Sequence, residues 1–228
     1  TNYVSWNLKA GGTPSINTDG ALTSVVSANQ AAGFSVVSYT GNNTQGATIG
    51  HGLDSIPNMI IVKGIDSTSA YNWMVYASPL GRKHAYMNLT NAFEGTATGT
   101  GIWASDPTSS VFSISNNVNV NVNNAGYIAY CFKSISGYIK VGTYTGLGSG
   151  GPLTVNMGFA PTLGLIKRTD STGGWRMFDT VRGTDKSLQA NSSAAEYDDV
   201  SNYMDFTSTG FYFSTSQANP DINAAGGT

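Results

Sequence analysis

The stretch GHGLDSIPNMIIVKGIDSTSAYNWMVY, residues 50–76, returns further along the chain as NMGFAPTLGLIKRTDSTGGWRMF, residues 156–178. In both, Gly and Pro punctuate the opening and an apolar run ends in Lys (Lys63, Lys167). A polar turn then reads Asp-Ser-Thr (66–68, 170–172), and a Trp (Trp73, Trp175) opens the next apolar segment. Each copy spells strand, turn, strand. Their recurrence makes an internal duplication the expected plan of the whole chain.

Outward from this pair the correspondence continues. GFSVVSYTG (33–41) answers GYIKVGTYTG (137–146), with Tyr39-Thr40-Gly41 against Tyr144-Thr145-Gly146. The offset is 144 − 39 = 105 at the tyrosines, 167 − 63 = 104 at the lysines and 175 − 73 = 102 at the tryptophans. Small deletions in surface loops produce such a drift. SSVFSIS (109–115) faces STGFYFS (208–214) with Phe112 and Phe211 in register, and HAYMNLTN (84–91) faces DKSLQANS (185–192) more weakly. The first copy closes with the strand YIAYCF (127–132), whereas the second reaches AAGGT (224–228) where that strand is due. The second copy is therefore expected to leave an edge exposed, which invites pairing, and the polypeptide is expected to extend past both ends.

Short alternating runs separated by Gly, Asn, Ser and Pro turns argue for antiparallel sandwich architecture. The fold expected is all-β: two similar antiparallel β-sandwich repeats with little or no helix. The organisation is an N-terminal strand and linker segment, 1–32, then β-sandwich repeat 1, 33–136, and β-sandwich repeat 2, 137–228. Residues 3–8, with their aromatic alternation, read as a strand, and a second short strand is expected around residues 22–26 after the Asn17-Thr18-Asp19-Gly20 turn. NNVNVNVNN (116–124) reads as a strand with a dry and a wet face, and residues 192–197 as one short helical turn.

Composition agrees. Only 11% of the 228 residues are charged against 40% hydrophobic, so Ser, Thr, Asn and the 28 glycines must cover much of the surface. That suits strands and turns better than helices. With net charge −2 and no basic run, nucleic-acid binding is disfavoured. Cys131 is the single cysteine, which forbids an internal disulfide and reads as a buried, inert thiol. No apolar stretch approaches the length of a spanning helix, and no membrane insertion is expected.

Chemistry-bearing residues are few and scattered. His51 and His84 lack metal-ligand spacing, and the counterpart of His51 is Met157. No Gly-x-Ser-x-Gly elbow occurs. Glu94 and Glu196 are the only glutamates; with Asp179, Asp185, Asp198 and Asp199 they are the candidates for glycoside cleavage or a calcium site, and loop contexts favour neither. The glycines of residues 146–151 join strand to strand, which is not a phosphate cradle. No cofactor and no metal site is expected. Lys63 with Asp66, and Lys167 with Asp170, read as strand-end and turn residues. Trp73, Trp103, Trp175 and Tyr76 are the candidate ligand or glycan contacts, with core anchoring as the competing role.

The run SWNLKAGG (5–12), the GFSVVSYTG strand, the GHGL…P…IIVK segment, DPTSSVF (106–112) and AYCF (129–132) together resemble an uncharacterised repeat domain. That domain belongs to tail-fibre and tail-spike-type proteins of marine and environmental tailed phages, where it often follows a laminin-G or concanavalin-like domain. The resemblance covers nearly the whole chain and its motifs are structural. It implies a non-enzymatic structural or adhesive module of a virion appendage contributing to host attachment. Implied partners are copies of itself, as a trimer, other virion proteins and a host surface glycan. A glycan-binding module is the alternative reading, and a capsule-degrading glycosidase a third.

Overall fold

Chain reversals at Gly- and Asn-rich turns separate short runs of β-branched and aromatic residues, and each run forms a strand. The computed structural model describes residues 3–66, 71–98, 101–198, 204–214 and 219–228. The first unit holds β1 (Ser15–Asn17), β2 (Ser24–Asn29), β3 (Phe34–Thr40), β4 (Ala47–Gly50), β5 (Met59–Gly64), β6 (Met74–Ala77), β7 (Ala85–Tyr86), β8 (Trp103–Ser105), β9 (Val111–Ile114) and β10 (Gly126–Phe132). The second holds β11 (Leu153–Asn156), β12 (Leu163–Lys167), β13 (Trp175–Asp179), β14 (Gly183–Gln189), β15 (Tyr197–Asp198), β16 (Met204–Thr207) and β17 (Gly210–Phe213). All the strand pairs are antiparallel. The all-β architecture expected from the sequence is thus present.

In the first unit a seven-stranded sheet of order β1-β2-β3-β10-β5-β6-β7 faces a three-stranded sheet of order β4-β9-β8. Alternation along β10 sends Tyr127, Ala129 and Cys131 inward, against Val37 and Tyr39 of β3 and Ile60 and Val62 of β5. The facing sheet contributes Ile49, Trp103, Phe112 and Ile114. Tyr39 stacks on Tyr127 at 5.2 Å, and Tyr76 meets Trp103 edge-on at 5.6 Å. Ring contacts of this kind add about 1 kcal/mol each beyond the area they bury.

The second unit repeats this arrangement with fewer strands: β12-β13-β14-β15 faces β11-β17-β16 around Ile166, Phe178, Met204, Phe211 and Phe213. Its anchoring hydrogen bonds recur one for one. Tyr39 Oη donates to Val120 O (2.8 Å), and Tyr144 Oη to Ile222 O. Asn121 Oδ1 accepts from Asn42 N (2.8 Å), and Asn223 Oδ1 from Leu147 N (2.8 Å). Trp73 N donates to Asn88 Oδ1 (2.9 Å), and Trp175 N to Asn191 Oδ1 (2.7 Å). Glycine is demanded at the same place in both: a Cβ on Gly41 would lie 2.3 Å from Val122 O, and one on Gly146 2.2 Å from Ala224 O.

The units share a seam. Trp175 and Leu165 of the second lie against Phe34, Ile61, Val75 and Phe132 on the outer face of the seven-stranded sheet and against Phe93 of the segment that follows β7. Trp175 Nε1 donates to Tyr86 O at 2.9 Å.

Several local expectations change. Residues 3–8 pair with no strand; instead the Trp6 indole donates to Asp179 Oδ2 (3.2 Å) beneath the Arg182 guanidinium. The Asn-Val tract is not a strand: Val120 N and Asn121 N both donate to Asn117 O (3.0 and 2.9 Å), closing one tight turn, while Asn117 Oδ1 accepts from Asn119 N (2.9 Å). Asn side chains bond their own backbone here and outcompete the ladder that alternation alone would favour. Residues 192–197 form no helix; one turn bond, Ser192 N to Gln189 O, leads into β15. The weak match between 84–91 and 185–192 is two residues out of register, because the paired Trp and Asn bonds set Asn88 against Asn191. Of the Asp66-Ser67-Thr68 turn, residues 67 and 68 lie outside the described residues.

Asn121 is fully buried and makes four bonds: Oδ1 accepts from Asn42 N and Asn43 N, and Nδ2 donates to Thr44 O (2.9 Å) and Ser115 O (3.0 Å). Asn121→Ala strands those backbone groups and is expected to cost about 3 kcal/mol. Asn116→Ala, on an exposed side chain, is expected to stay within about 0.5 kcal/mol. Urea midpoints of the two variants check both.

Candidate functional site

The candidate aromatic contacts separate by burial. Trp103 (1% exposed), Tyr76 (3%) and Trp175 (3%) are interior, the first two in the core of the first unit and the third in the seam. None of these three presents a ring face for sugar stacking; they anchor the core. Trp73 is half-buried and stacks parallel to Tyr130 at 6.5 Å. Burial, then the Asp106 charge, pushes the Tyr76 hydroxyl up to about 12.

The two lysine–aspartate pairs serve the backbone. Lys63 Nζ donates to Tyr71 O, and Lys167 Nζ to Arg168 O (2.6 Å). Asp66 Oδ2 accepts from Gly126 N (2.6 Å), and Asp170 Oδ1 from Thr228 N (3.4 Å). Burial at the seam, with Arg168 adding to it, brings Lys167 down to about 8 against the opposing pull of Asp221 and Asp170. Cys131 is fully buried, and burial pushes its thiol up to about 12, as an inert core cysteine requires.

Asp179 and Glu196 are held by one cation. Arg182 reaches Asp179 Oδ2 (2.7 Å) with Nε and Glu196 Oε2 (2.6 Å) with Nη1. Burial works to raise Asp179, but the Arg182 backbone and guanidinium and the Trp6 indole outweigh it and hold the carboxyl below its ordinary range. A carboxylate so held accepts hydrogen bonds and has no proton to give, which is the wrong state for a glycosidase acid. Among the described residues no three of His, Cys, Asp and Glu converge as a metal site; Asp199 lies outside them.

His51 is built into the scaffold. Its Nδ1 accepts from Leu53 N (3.1 Å) across the left-handed Gly52, so Nε2 carries the proton and donates to Thr108 O (3.2 Å). His84 is different. A two-way backbone bridge to Glu94 (His84 N to Glu94 O, 3.0 Å; Glu94 N to His84 O, 2.8 Å) fixes its position. Nε2 lies 3.4 Å from Tyr86 Oη, which lies 3.4 Å from Glu94 Oε2, and Glu94 Oε1 accepts from Asn91 Nδ2 (2.7 Å). Its Nδ1 is buried without a hydrogen-bond partner.

His84 and Tyr86 line an open cavity of about 520 Å³ with Gly101, Ile102, Ser115 and Asn117. An imidazole nitrogen, a phenol and amide groups around one cavity make donors and acceptors for a small polar ligand. The spacing His-x-Tyr, which sets both side chains on one face of a strand, is the only trace of this cluster in the sequence. Glu94 arrives through the bridge and leaves none.

Over residues 1–228 the chain matches the family described as Domain of unknown function (DUF7483), and it belongs to that family. No curated protein and no solved structure matches it.

Burial lowers both histidines, against smaller raising contributions from Thr108 and Asp19 at His51 and from Glu94 at His84. A depressed folded pKa means that the unfolded chain binds more protons below its own value of about 6.5. Stability is therefore expected to fall as pH drops from 7 towards 5, by up to about 1.4 kcal/mol per pH unit for each histidine. Asp54, held down first by Lys133, and Asp170, held down first by Arg168, add their losses only below about pH 4. Melting temperatures between pH 7.5 and 5 should show the slope, and His51→Gln and His84→Gln should each remove part of it.

Proposed function

We propose that the chain is a non-enzymatic structural and adhesive module of a tailed-phage virion appendage, a tail fibre or spike, contributing to host attachment. The observation that carries this reading is the frame built twice. The side chains that capture backbone (Tyr39 and Tyr144, Asn121 and Asn223, Asn88 and Asn191) recur in matching places, as a duplicated gene segment would leave them. The histidines do not recur: His51 faces Met157 and His84 faces Ser187. Most of the ion pairs also lie within the frame. Arg182 clamps Asp179 and Glu196, Arg176 holds Asp221 (2.9 Å), and Lys133 holds Asp54. The low charge and the Ser, Thr and Asn surface fit a rigid external module, and the resemblance to tail-fibre and tail-spike-type repeat domains supplies the setting. In that setting the chain works as a homo-oligomer, a trimer, against other virion proteins. Immunogold electron microscopy of intact virions tests this: label on the fibres or spikes is expected, and label confined to other parts of the particle overturns it.

A second reading, binding of a host surface polysaccharide, is favoured by the cavity beside His84. Hydroxyl-rich sugars suit the Tyr86 hydroxyl and the amide rim. On a glycan array the chain is expected to retain a defined class of polysaccharide. Tyr86→Phe should weaken that binding about tenfold, the loss of one or two hydrogen bonds, while Thr154→Ala, at an exposed position of β11 in the second unit, leaves it unchanged. Release of reducing ends from the bound polysaccharide would replace both readings with a hydrolase.

A further inference from the structure

The cavity beside His84 has a fixed hydrogen-bond polarity, set from behind by a carboxylate. Backbone bonds in both directions between His84 and Glu94 bring Glu94 next to Tyr86, whose ring packs on the core of the first unit. Glu94 Oε2 can only accept, so the Tyr86 hydroxyl gives it its one proton, at 3.4 Å. The Tyr86 oxygen then has only lone pairs left, and His84 Nε2, also 3.4 Å away, is the donor to it. Nδ1, buried and without a partner, carries a lone pair and no N–H. Asn91 Nδ2 holds the other carboxylate oxygen at 2.7 Å. Burial first, then the Glu94 charge and its hydrogen bond, push the Tyr86 hydroxyl above its ordinary value, so the phenol keeps its proton. Towards the cavity, Tyr86 Oη is therefore an acceptor.

Asn117, also in the lining, supplies a donor. Its side chain bonds both Asn119 N and Asn119 Nδ2 (2.9 Å each), and since a backbone N–H can only donate, the atom turned to Asn119 is the oxygen Oδ1. Asn117 Nδ2, which has no partner among the described residues, keeps its two protons for another acceptor. Ile102 and Val118 add apolar surface to the same cavity. Among the described residues no lysine or arginine lines it, and the guanidinium of nearby Arg82 is bonded to Ala104 O (3.0 Å) and Thr98 O. A carboxylate ligand would meet lone pairs at Tyr86 with the Glu94 charge behind them. Like charge and unpaired acceptors select against such a ligand.

An acceptor, a donor and two apolar side chains around one cavity complement an acetamido group: its N–H for Tyr86 Oη, its C=O for Asn117 Nδ2, its methyl for Ile102 and Val118. We propose that the cavity takes the acetamido group of an N-acetylated hexosamine and turns away uronic and other acidic sugars. This inference rests on polysaccharide binding as the second reading has it, and names the ligand class. Glu94 is a positioning residue in it, acting through the direction in which it holds the Tyr86 proton.

The test titrates the unaltered chain with three hexasaccharides: N-acetylglucosamine, glucose in the same linkage, and galacturonate. The acetylated oligomer is expected to bind at least about tenfold more tightly than either of the others. Equal affinity for the acetylated and glucose oligomers, or a preference for the galacturonate, overturns the acetamido site and leaves polysaccharide binding standing. So does failure to bind the acetylated oligomer while other polysaccharides are retained on the array. If no saccharide binds in either format, the second reading and this inference fall together. Glu94→Gln removes the charge and frees the Tyr86 proton to turn, so the preference for acetylated over galacturonate oligomer is expected to narrow about tenfold; an unchanged preference overturns the role of Glu94. One readout needs no ligand. In assigned ¹⁵N spectra at about pH 8, above the ordinary histidine value, His84 is expected as the Nε2–H form, and the Nδ1–H form overturns the polarity.

Discussion

Strand β10 is the element on which the first unit depends, because both its edges and its inward face are consumed by the fold. Gly126 to Phe132 pair with β3 on one side and, from Tyr127 onward, with β5 on the other. Those neighbours come from far earlier in the chain, so a long loop must close before any of this pairing is gained. The chain secures the closure just upstream. Tyr39 holds Val120, and Asn121 holds the backbone of residues 42–44 and Ser115, so the segment is already positioned where β10 begins. A central strand buried on both sides leaves no tolerance for an unpaired backbone group, which explains why so much side-chain polarity is spent on its approach.

The second unit keeps that lock, and it leans on its neighbour. An antiparallel sheet can leave one face to solvent, but the outer face of the seven-stranded sheet carries Phe34, Ile61, Val75 and Phe132, and these need cover. Trp175 and Leu165 provide it, and backbone bonds from Phe93 N to Thr169 O (3.0 Å) and Gly173 N to Thr90 O (2.8 Å) pin the seam. Among the described residues, those that bury the second unit within itself are fewer than those of the first. A small core gains most from shared burial, so the seam serves as part of the second unit's own interior.

The sequence exposed the parts of this plan that repeat in residue type. Tyr-Thr-Gly, the lysine-terminated strand and the Trp-led strand can be aligned by eye, and each marks a position where one residue type is physically required, such as the glycine under Val122 O. It concealed the parts where different residues do the same work. Trp103 and Met204 occupy matching interior positions with no likeness of side chain, and Asn119 and Asp221 both cap a backbone N–H, of Asn72 and Gly174. Alternation misled at 116–124 because local Asn bonding competes at short range with a ladder that needs distant partners. The His84–Tyr86–Glu94 cluster was hidden for a related reason: a bridge between two loops leaves no period to read.

That cluster gains meaning from its counterpart. With Asn88 set against Asn191, His84 falls opposite Ser187 of the second unit. Ser187 is buried, and its hydroxyl lies 3.3 Å from Arg176 Nη1, whose guanidinium also holds Asp221 and lies 4.6 Å from the Tyr197 ring. The same topological position is thus closed by charge and an aromatic cover in one copy. In the other it holds an imidazole beside a cavity, with Nδ1 buried and without a partner. In a frame used twice, the shared residues are constrained by folding, and freedom to recognise something else exists only where the copies differ. A buried, unsatisfied nitrogen costs stability, and at the matching place in the second unit the Ser187 hydroxyl has a partner in Arg176. The two copies thus diverge at this position, whereas the repeated tryptophans, Trp73 and Trp175, both pack into the seam.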